Sequence, residues 1–149
     1  MSYELTVERL IDASPEEVFD AYTDPDAQRE WFTILDEGMI VEIDVDFRVG
    51  GKWEAAWGFS PEEMFRETQT FVVIDRPHRL VTKSTGSSPD GQSLDTEVEI
   101  TFRDESGKTL MTVSQTGFSS EEERDFFART AWIGFFDRFQ AYLAARTRA

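Results

Sequence analysis

The most restrictive feature of this 149-residue sequence is its aromatic C-terminal segment. Ser119 and Glu122 have the spacing of a helix capping box, and apolar side chains then recur at helical spacing. A stripe this wide requires an equally wide apolar surface opposite it. The sequence therefore predicts one long closing helix that packs on the inner face of a sheet through Phe127, Ala128, Ala131, Trp132, Phe135, Phe136, Phe139, Tyr142 and Leu143.

The middle of the chain alternates apolar and polar residues with a period of two, which is typical of half-buried strands. Val98, Ile100 and Phe102 share one face of such a strand, whereas Glu97 and Glu99 share the other. Short turn-forming stretches separate the alternating segments, so neighbouring strands should be antiparallel. We expect six strands here, near residues 38–45, 51–58, 66–75, 79–85, 94–103 and 108–117.

The N-terminal part adds one strand and two short helices. Alternation over the first residues predicts a strand that runs to about Ile11. Ser14-Pro15 and Asp24-Pro25 each combine an N-cap residue with a proline suited to the first helical position. The expected fold is α+β and forms a single domain over residues 1–149. Its order is strand, two short helices, six strands and a long helix, with about seven strands curled around that helix.

Charge and composition exclude several function classes. The formal net charge is −15, from 30 acidic and 15 basic residues, so the surface should repel nucleic acid and anionic membranes. The chain has no cysteine, which excludes disulfides and thiolate chemistry. No apolar segment approaches the length of a membrane span, and we expect no membrane insertion. A cytoplasmic protein is the expectation.

The stretch DFRVGGKWEAAWG, residues 46–58, raises the possibility of a phosphate-binding loop. A Walker-type loop needs a glycine at position 46 and a serine or threonine after Lys52, and neither is present. Gly50-Gly51 instead predicts a tight turn between two strands. Trp53 and Trp57 then share one strand face, where they either line a cavity or fill the core.

Four segments carry a resemblance to a known family. They are ASPEEVFDAYTDPDAQREWF (13–32), DFRVGGKW (46–53), RPHRLV (76–81) and TGF…W…FFDRFQAYL (116–143). Together they resemble the START-like, helix-grip (SRPBCC) superfamily, and more narrowly the bacterial homologues of the activator of heat-shock protein 90 ATPase. The resemblance implies a deep cavity between the curled sheet and the long helix. The sequence departs from residues common in the family at Gln69, Val73 and Ala131.

Aromatic residues and a few hydroxyl groups are the candidates for the cavity wall. Thr82 and Thr112 belong to alternating segments, where they either orient a ligand or face solvent. The expected lining residues are Trp31, Phe32, Trp53, Trp57, Thr82, Thr112, Phe118, Trp132, Phe135 and Phe136. We nominate no catalytic residue and expect no metal site and no cofactor. The single histidine, His78, falls in a turn between strands.

These features favour a non-enzymatic protein that binds a small, largely apolar or aromatic molecule in its cavity. One alternative is a co-chaperone-like module that stimulates the ATPase of a heat-shock chaperone and acts through exposed residues. Another is a cavity enzyme of the polyketide cyclase or hydrolase type, which would need a buried acid or base with a shifted pKa.

Overall fold

The computed structural model describes residues 3–32 and 39–147. Strands and helices follow one another in the predicted order, and the chain closes with a long helix. The elements are β1 (Tyr3–Ile11), α1 (Pro15–Thr23), α2 (Pro25–Trp31), β2 (Ile40–Val45), β3 (Lys52–Gly58), β4 (Met64–Asp75), β5 (Arg79–Ser87), β6 (Ser93–Glu105), β7 (Lys108–Phe118), α3 (Glu121–Phe126), a π-helical turn (Phe127–Ala131) and α4 (Trp132–Thr147).

The strands form one seven-stranded antiparallel sheet in the order β1-β7-β6-β5-β4-β3-β2. Among the strands that the structure describes, β1 and β7 alone are paired without being neighbours in sequence. The curled sheet and the long helix confirm the predicted α+β helix-grip fold. Gly38, where the first of the six central strands was expected to begin, lies outside the described residues.

The alternation along β6 confirms which residues face the core. Val98, Ile100 and Phe102 are buried, whereas Glu97 is exposed. The apolar face of the sheet covers Phe136 and Phe139, which are completely buried. The core therefore lies between this inner face and the C-terminal helix, and the opposite face of the sheet meets water.

Local capping explains where the short helices begin. The Ser14 hydroxyl accepts a hydrogen bond from the Glu17 amide at 3.3 Å, and the Asp24 carboxylate accepts one from the Asp26 amide at 3.3 Å. The capping box predicted for the last helix is displaced by one residue: Ser120, and not Ser119, accepts from the Glu123 amide, at 3.1 Å. Each cap satisfies an amide that has no partner within its helix.

The C-terminal helix is not the uninterrupted α-helix that its spacing predicts. A π-helical turn separates α3 from α4, and such a turn accommodates one extra residue. At its start, the Phe127 ring packs on Phe118 with centroids 5.3 Å apart. At its end, Trp132 packs edge-on against Phe135 at 5.5 Å. The turn lets both rings reach the core from one helix.

Candidate functional site

A cavity of about 110 Å³, which we call the inner chamber, lies between the sheet and the C-terminal helix. β3, β4 and β5 supply one side of it, and α1, α2 and α4 supply the other. Aromatic side chains make up most of its wall. The lining residues are Tyr22, Thr23, Gln28, Trp31, Phe32, Trp53, Gln69, Phe71, Leu80, Trp132 and Phe135.

Ring-to-ring contacts hold this wall together. Trp31 stacks on Tyr22 with centroids 5.4 Å apart and meets Phe135 edge-on at 5.0 Å. Phe32 packs against Trp53 at 5.4 Å and against Trp57 at 5.1 Å. These distances are typical of favourable aromatic pairs. The rings therefore support one another around the chamber.

Hydrogen bonds fix the orientation of the three indoles in the wall. Trp31 Nε1 donates to the backbone oxygen of Ala21 at 2.9 Å. Trp53 Nε1 donates to Gln28 Oε1 at 2.8 Å, and Trp132 Nε1 donates to Gln115 Oε1 at 2.9 Å. Buried N–H groups need such partners. The protein supplies all three, so the indole orientations are set without a ligand.

A polar patch interrupts the apolar inner face of the sheet. Its four residues, Glu67, Gln69, Thr82 and Ser84, lie on one face because β4 and β5 pair Gln69 with Ser84 and Phe71 with Thr82. Thr82 donates to Gln69 Oε1 at 2.8 Å, and Gln69 Nε2 donates to Glu67 Oε2 at 2.6 Å. The Ser84 hydroxyl also donates to Glu67 Oε2, at 3.1 Å.

Glu67 is a half-buried carboxyl group on the inner face of the sheet, which the sequence could not single out. Burial raises its pKa, and the hydrogen bonds from Gln69 and Ser84 act in the opposite direction. Burial also raises the pKa of the Tyr22 phenol, and the charge of Glu67 adds to that effect. The wall between sheet and helix thus contains a carboxyl group and a phenol that are both harder to ionise than usual.

A second space, which we call the end groove, has a volume of about 360 Å³. It lies between α3 with the π-helical turn and the strand ends of β3 to β6. Glu67 borders the end groove and Gln69 borders the inner chamber, so their hydrogen bond lies between the two spaces. The groove is lined by Trp57, Phe65, Arg66, Glu67, Gly86, Ser87, Ser88, Gln92, Ser93, Leu94, Glu123, Phe126 and Phe127.

The two spaces differ in what they can hold. Sites for drug-sized molecules occupy about 300–1,000 Å³, and an apolar cavity of about 150 Å³ can hold benzene. The inner chamber, at about 110 Å³, is smaller than this benzene-binding cavity and therefore suits at most one small ring. The end groove reaches the lower part of the drug-sized range.

Five of the residues expected to line a cavity do line the inner chamber: Trp31, Phe32, Trp53, Trp132 and Phe135. Two others lie close to it without lining it. Thr82 is buried on the inner face and reaches the chamber through Gln69. Trp57 lines the end groove instead, beside Phe65.

The remaining three expected residues lie away from the inner chamber. Thr112 lies on the outer face of β7, where its hydroxyl donates to Glu8 at 3.2 Å, because the inward positions of that strand are occupied by its odd-numbered neighbours. Phe118 is fully buried against Phe127. Phe136 is also fully buried, and the Arg9 guanidinium lies 5.2 Å from its ring centroid. Both phenylalanines therefore fill the core.

Sequence reasoning missed several residues that border the two spaces. Gln69, Phe71 and Glu67 alternate along β4, and this pattern could have placed them together on one face. Tyr22 belongs to the apolar stripe of α1, where a role in packing was the simpler interpretation. No signal in the sequence marks Gln28, whose side chain links α2 to Trp53.

Other candidate sites have plain structural explanations. His78 is exposed in the turn between β4 and β5. Gly50 has a positive φ of 85° in the loop that joins the antiparallel strands β2 and β3, as a tight turn requires. Among residues 3–32 and 39–147, no group of three histidine, aspartate or glutamate side chains is arranged to hold a metal ion.

Within the same described ranges, no helix is both long and apolar enough to cross a membrane.

Solved structures share this architecture at low sequence identity. The Mll3558 protein from Rhizobium loti is 22% identical, with a TM-score of 0.80, over 95% of this chain and 97% of that one. The protein of unknown function SA2116 from Staphylococcus aureus is 18% identical, with a TM-score of 0.77, over 100% and 98%. Protein CV1439 from Chromobacterium violaceum is 19% identical, with a TM-score of 0.72, over 93% and 96%. These likenesses show the fold.

No curated protein matches the chain. The sequence profile of one family, described as Activator of Hsp90 ATPase homolog 1-like protein, matches residues 12–144, which is most of the chain. The match covers α1 and α2, the strands β2 to β7 and most of the C-terminal helix. The chain therefore belongs to the Activator of Hsp90 ATPase homolog 1-like family.

Proposed function

We propose that the protein binds a small, largely apolar molecule of about one aromatic ring in the inner chamber. The observation that carries this proposal is a cavity of about 110 Å³ walled by Trp31, Trp53, Trp132 and other rings. Contact between a ligand ring and these side chains would bury apolar surface and add ring–ring attraction. The chamber is a cavity lined mostly by aromatic side chains, as ligand sites in proteins commonly are.

The polar groups of the chamber limit what the ligand can carry. The indole N–H groups of Trp31, Trp53 and Trp132 already donate to protein oxygens. The Tyr22 hydroxyl borders the chamber and makes no hydrogen bond to any residue within 3–32 and 39–147. A ligand with one hydroxyl or carbonyl group beside its ring would therefore find a partner in Tyr22.

Single-ring probes test this proposal. We expect phenol, benzene and toluene to raise the melting temperature and to shift the NMR signals of residues around the inner chamber, because they bind only the folded state. Tyr22→Phe keeps the ring and removes the hydroxyl. This variant should bind phenol about 2- to 10-fold more weakly, since one hydrogen bond is lost, while toluene binding should stay the same.

Phe126→Ala is the control, because Phe126 is exposed and lines the end groove and not the inner chamber. This variant should bind all three probes as the parent protein does. The proposal fails if none of the probes shifts the signals of the chamber residues at millimolar concentration.

A second candidate function is an interaction with a heat-shock chaperone, and the family match is the observation that favours it. In this case function would depend on exposed residues and not on the inner chamber. The test is to add the protein to a heat-shock protein 90 ATPase assay and to measure binding of the two proteins. An unchanged ATPase rate together with no detectable complex would eliminate this candidate.

A further inference from the structure

Glu67 is a half-buried carboxyl group on the inner face of the sheet, and it has no cationic partner in the described part of the chain. Its Oε2 atom accepts hydrogen bonds from Gln69 and Ser84, whereas its Oε1 atom accepts none from residues 3–32 or 39–147. None of the ion pairs among those residues involves it. Because a half-buried carboxylate is partly screened from water, its attraction for a cation in the groove is stronger than that of a fully exposed carboxylate.

Aromatic rings surround the groove that this carboxyl group borders. Trp57 and Phe65 stack with centroids 5.8 Å apart and an interplanar angle of 12°. On the helix side, Phe126 and Phe127 meet edge to face at 5.6 Å. Phe65 is 44% exposed and Phe126 is 56% exposed, so the rings remain accessible. The faces of such rings attract cations, and several rings together form the aromatic cages that recognise ammonium groups.

The charge around the groove also favours a cation. Two acids, Glu67 and Glu123, border it together with one base, Arg66. The register places Arg66 next to the inward Glu67 on β4, opposite Ala56 and Ser87, and therefore at an outward position of the strand. The formal net charge of −15 attracts cations and repels anions over a longer range.

We propose that the end groove binds an organic ammonium group, with the Glu67 carboxylate as its counter-ion and the rings of Trp57, Phe65 and Phe126 around it. The volume of about 360 Å³ suits an amine attached to a single ring or a short apolar chain. This site is separate from the inner chamber, and its occupation does not require a ligand there.

Three probes that share a phenylethyl group test the proposal by calorimetry in about 0.15 M salt, which screens the general attraction of an acidic protein for cations. They are 2-phenylethylamine, the neutral 2-phenylethanol and the anionic 3-phenylpropanoate. We expect the amine to bind at least about tenfold more tightly than the alcohol, as a single close ion pair with partial desolvation would give. The anion should not bind in the end groove.

Glu67→Gln and Glu97→Gln form a matched pair of variants. The amide introduced by Glu67→Gln keeps an acceptor for Gln69 and Ser84 but carries no charge, so the variant should lose the preference for the amine over the alcohol. Glu97 is an exposed residue of β6 that does not line the groove, and its variant removes the same charge. This control should keep the full preference.

Phe126→Ala and NMR of the parent protein provide readouts that do not depend on the stability of the Glu67 variant. Phe126 is exposed, so its replacement should leave the fold intact and weaken amine binding severalfold. The amine should shift the signals of Trp57, Glu67 and Phe126. Equal binding of amine and alcohol, or equal losses in the Glu67 and Glu97 variants, would overturn the proposal. Shifts limited to the inner chamber would overturn it too, while supporting the function proposed above.

Discussion

A comparison of substitutions at Trp53 and Trp57 separates the contribution of one buried hydrogen bond from that of indole packing. Both side chains point inward from β3, but Trp53 Nε1 donates to Gln28 Oε1 at 2.8 Å. The indole N–H of Trp57 donates to no residue within 3–32 and 39–147. Trp53→Phe should leave the Gln28 oxygen without a donor in a buried position, which costs about 1–3 kcal/mol.

The control is Trp57→Phe, which loses ring area and no internal hydrogen bond. Trp57 is only half-buried, so its replacement should cost less than about 1.5 kcal/mol. Trp53→Phe should exceed it by about 1–3 kcal/mol in the free energy of unfolding, measured by urea titration followed by circular dichroism. For a chain of this size, each kcal/mol corresponds to a melting-temperature difference of about 2–4 °C.

Equal losses of unfolding free energy in the two variants, within about 0.5 kcal/mol, would refute the reasoning. Removal of the hydrogen bond to Gln28 would then have no measurable cost. A double variant with Gln28→Met supplies a further check. If the Trp53–Gln28 hydrogen bond contributes as argued, Trp53→Phe should lower the unfolding free energy less in the Gln28→Met background. In that background no buried side-chain oxygen at position 28 loses its donor.

Two further predictions concern the interior. Burial raises the pKa of Glu67 above the usual 4.5, so the folded state keeps a proton that the unfolded state loses as the pH rises. Glu67→Gln should therefore gain stability relative to the parent as the pH rises above 4.5 in urea titrations, while a flat difference, or the same trend in Glu97→Gln, would contradict this. Phe139→Ala should lose about 3–5 kcal/mol because Phe139 is fully buried, whereas the exposed Phe126→Ala should change the unfolding free energy by less than about 0.5 kcal/mol; similar losses for both would contradict the placement of the core.

Local patterns predicted the elements because they depend on neighbouring residues. Ser14 and Asp24 cap their helices as expected, since a cap needs only the next two or three amides. The last helix shows the limit of this reasoning. Ser119–Glu122 and Ser120–Glu123 have identical spacing, and the structure uses the second pair. The path of the chain out of β7 decides between them.

The candidate site was harder to predict, because alternation defines two faces of a strand without saying which is inside. Thr82 and Thr112 have the same residue type in similar segments. Thr82 pairs with Phe71 and lies inward, whereas Thr112 pairs with Glu8 and lies outward. The difference depends on strand pairing and on which side the helix covers, and neither is encoded next to the residue itself.

The sequence by itself determined the order of the elements and the curled sheet around an aromatic helix. It also nominated, as candidates, five of the rings that border the inner chamber. Only the tertiary structure decided how much space those rings leave and which polar groups share it. Trp53 meets Gln28 across 25 residues, and Trp132 meets Gln115 across 17. Glu67 forms no ion pair with a residue in the described part of the chain, because the segments that pack around it place no cationic group within reach. Cavity volume and the isolation of a charge result from packing between distant segments, and a local pattern carries no record of either.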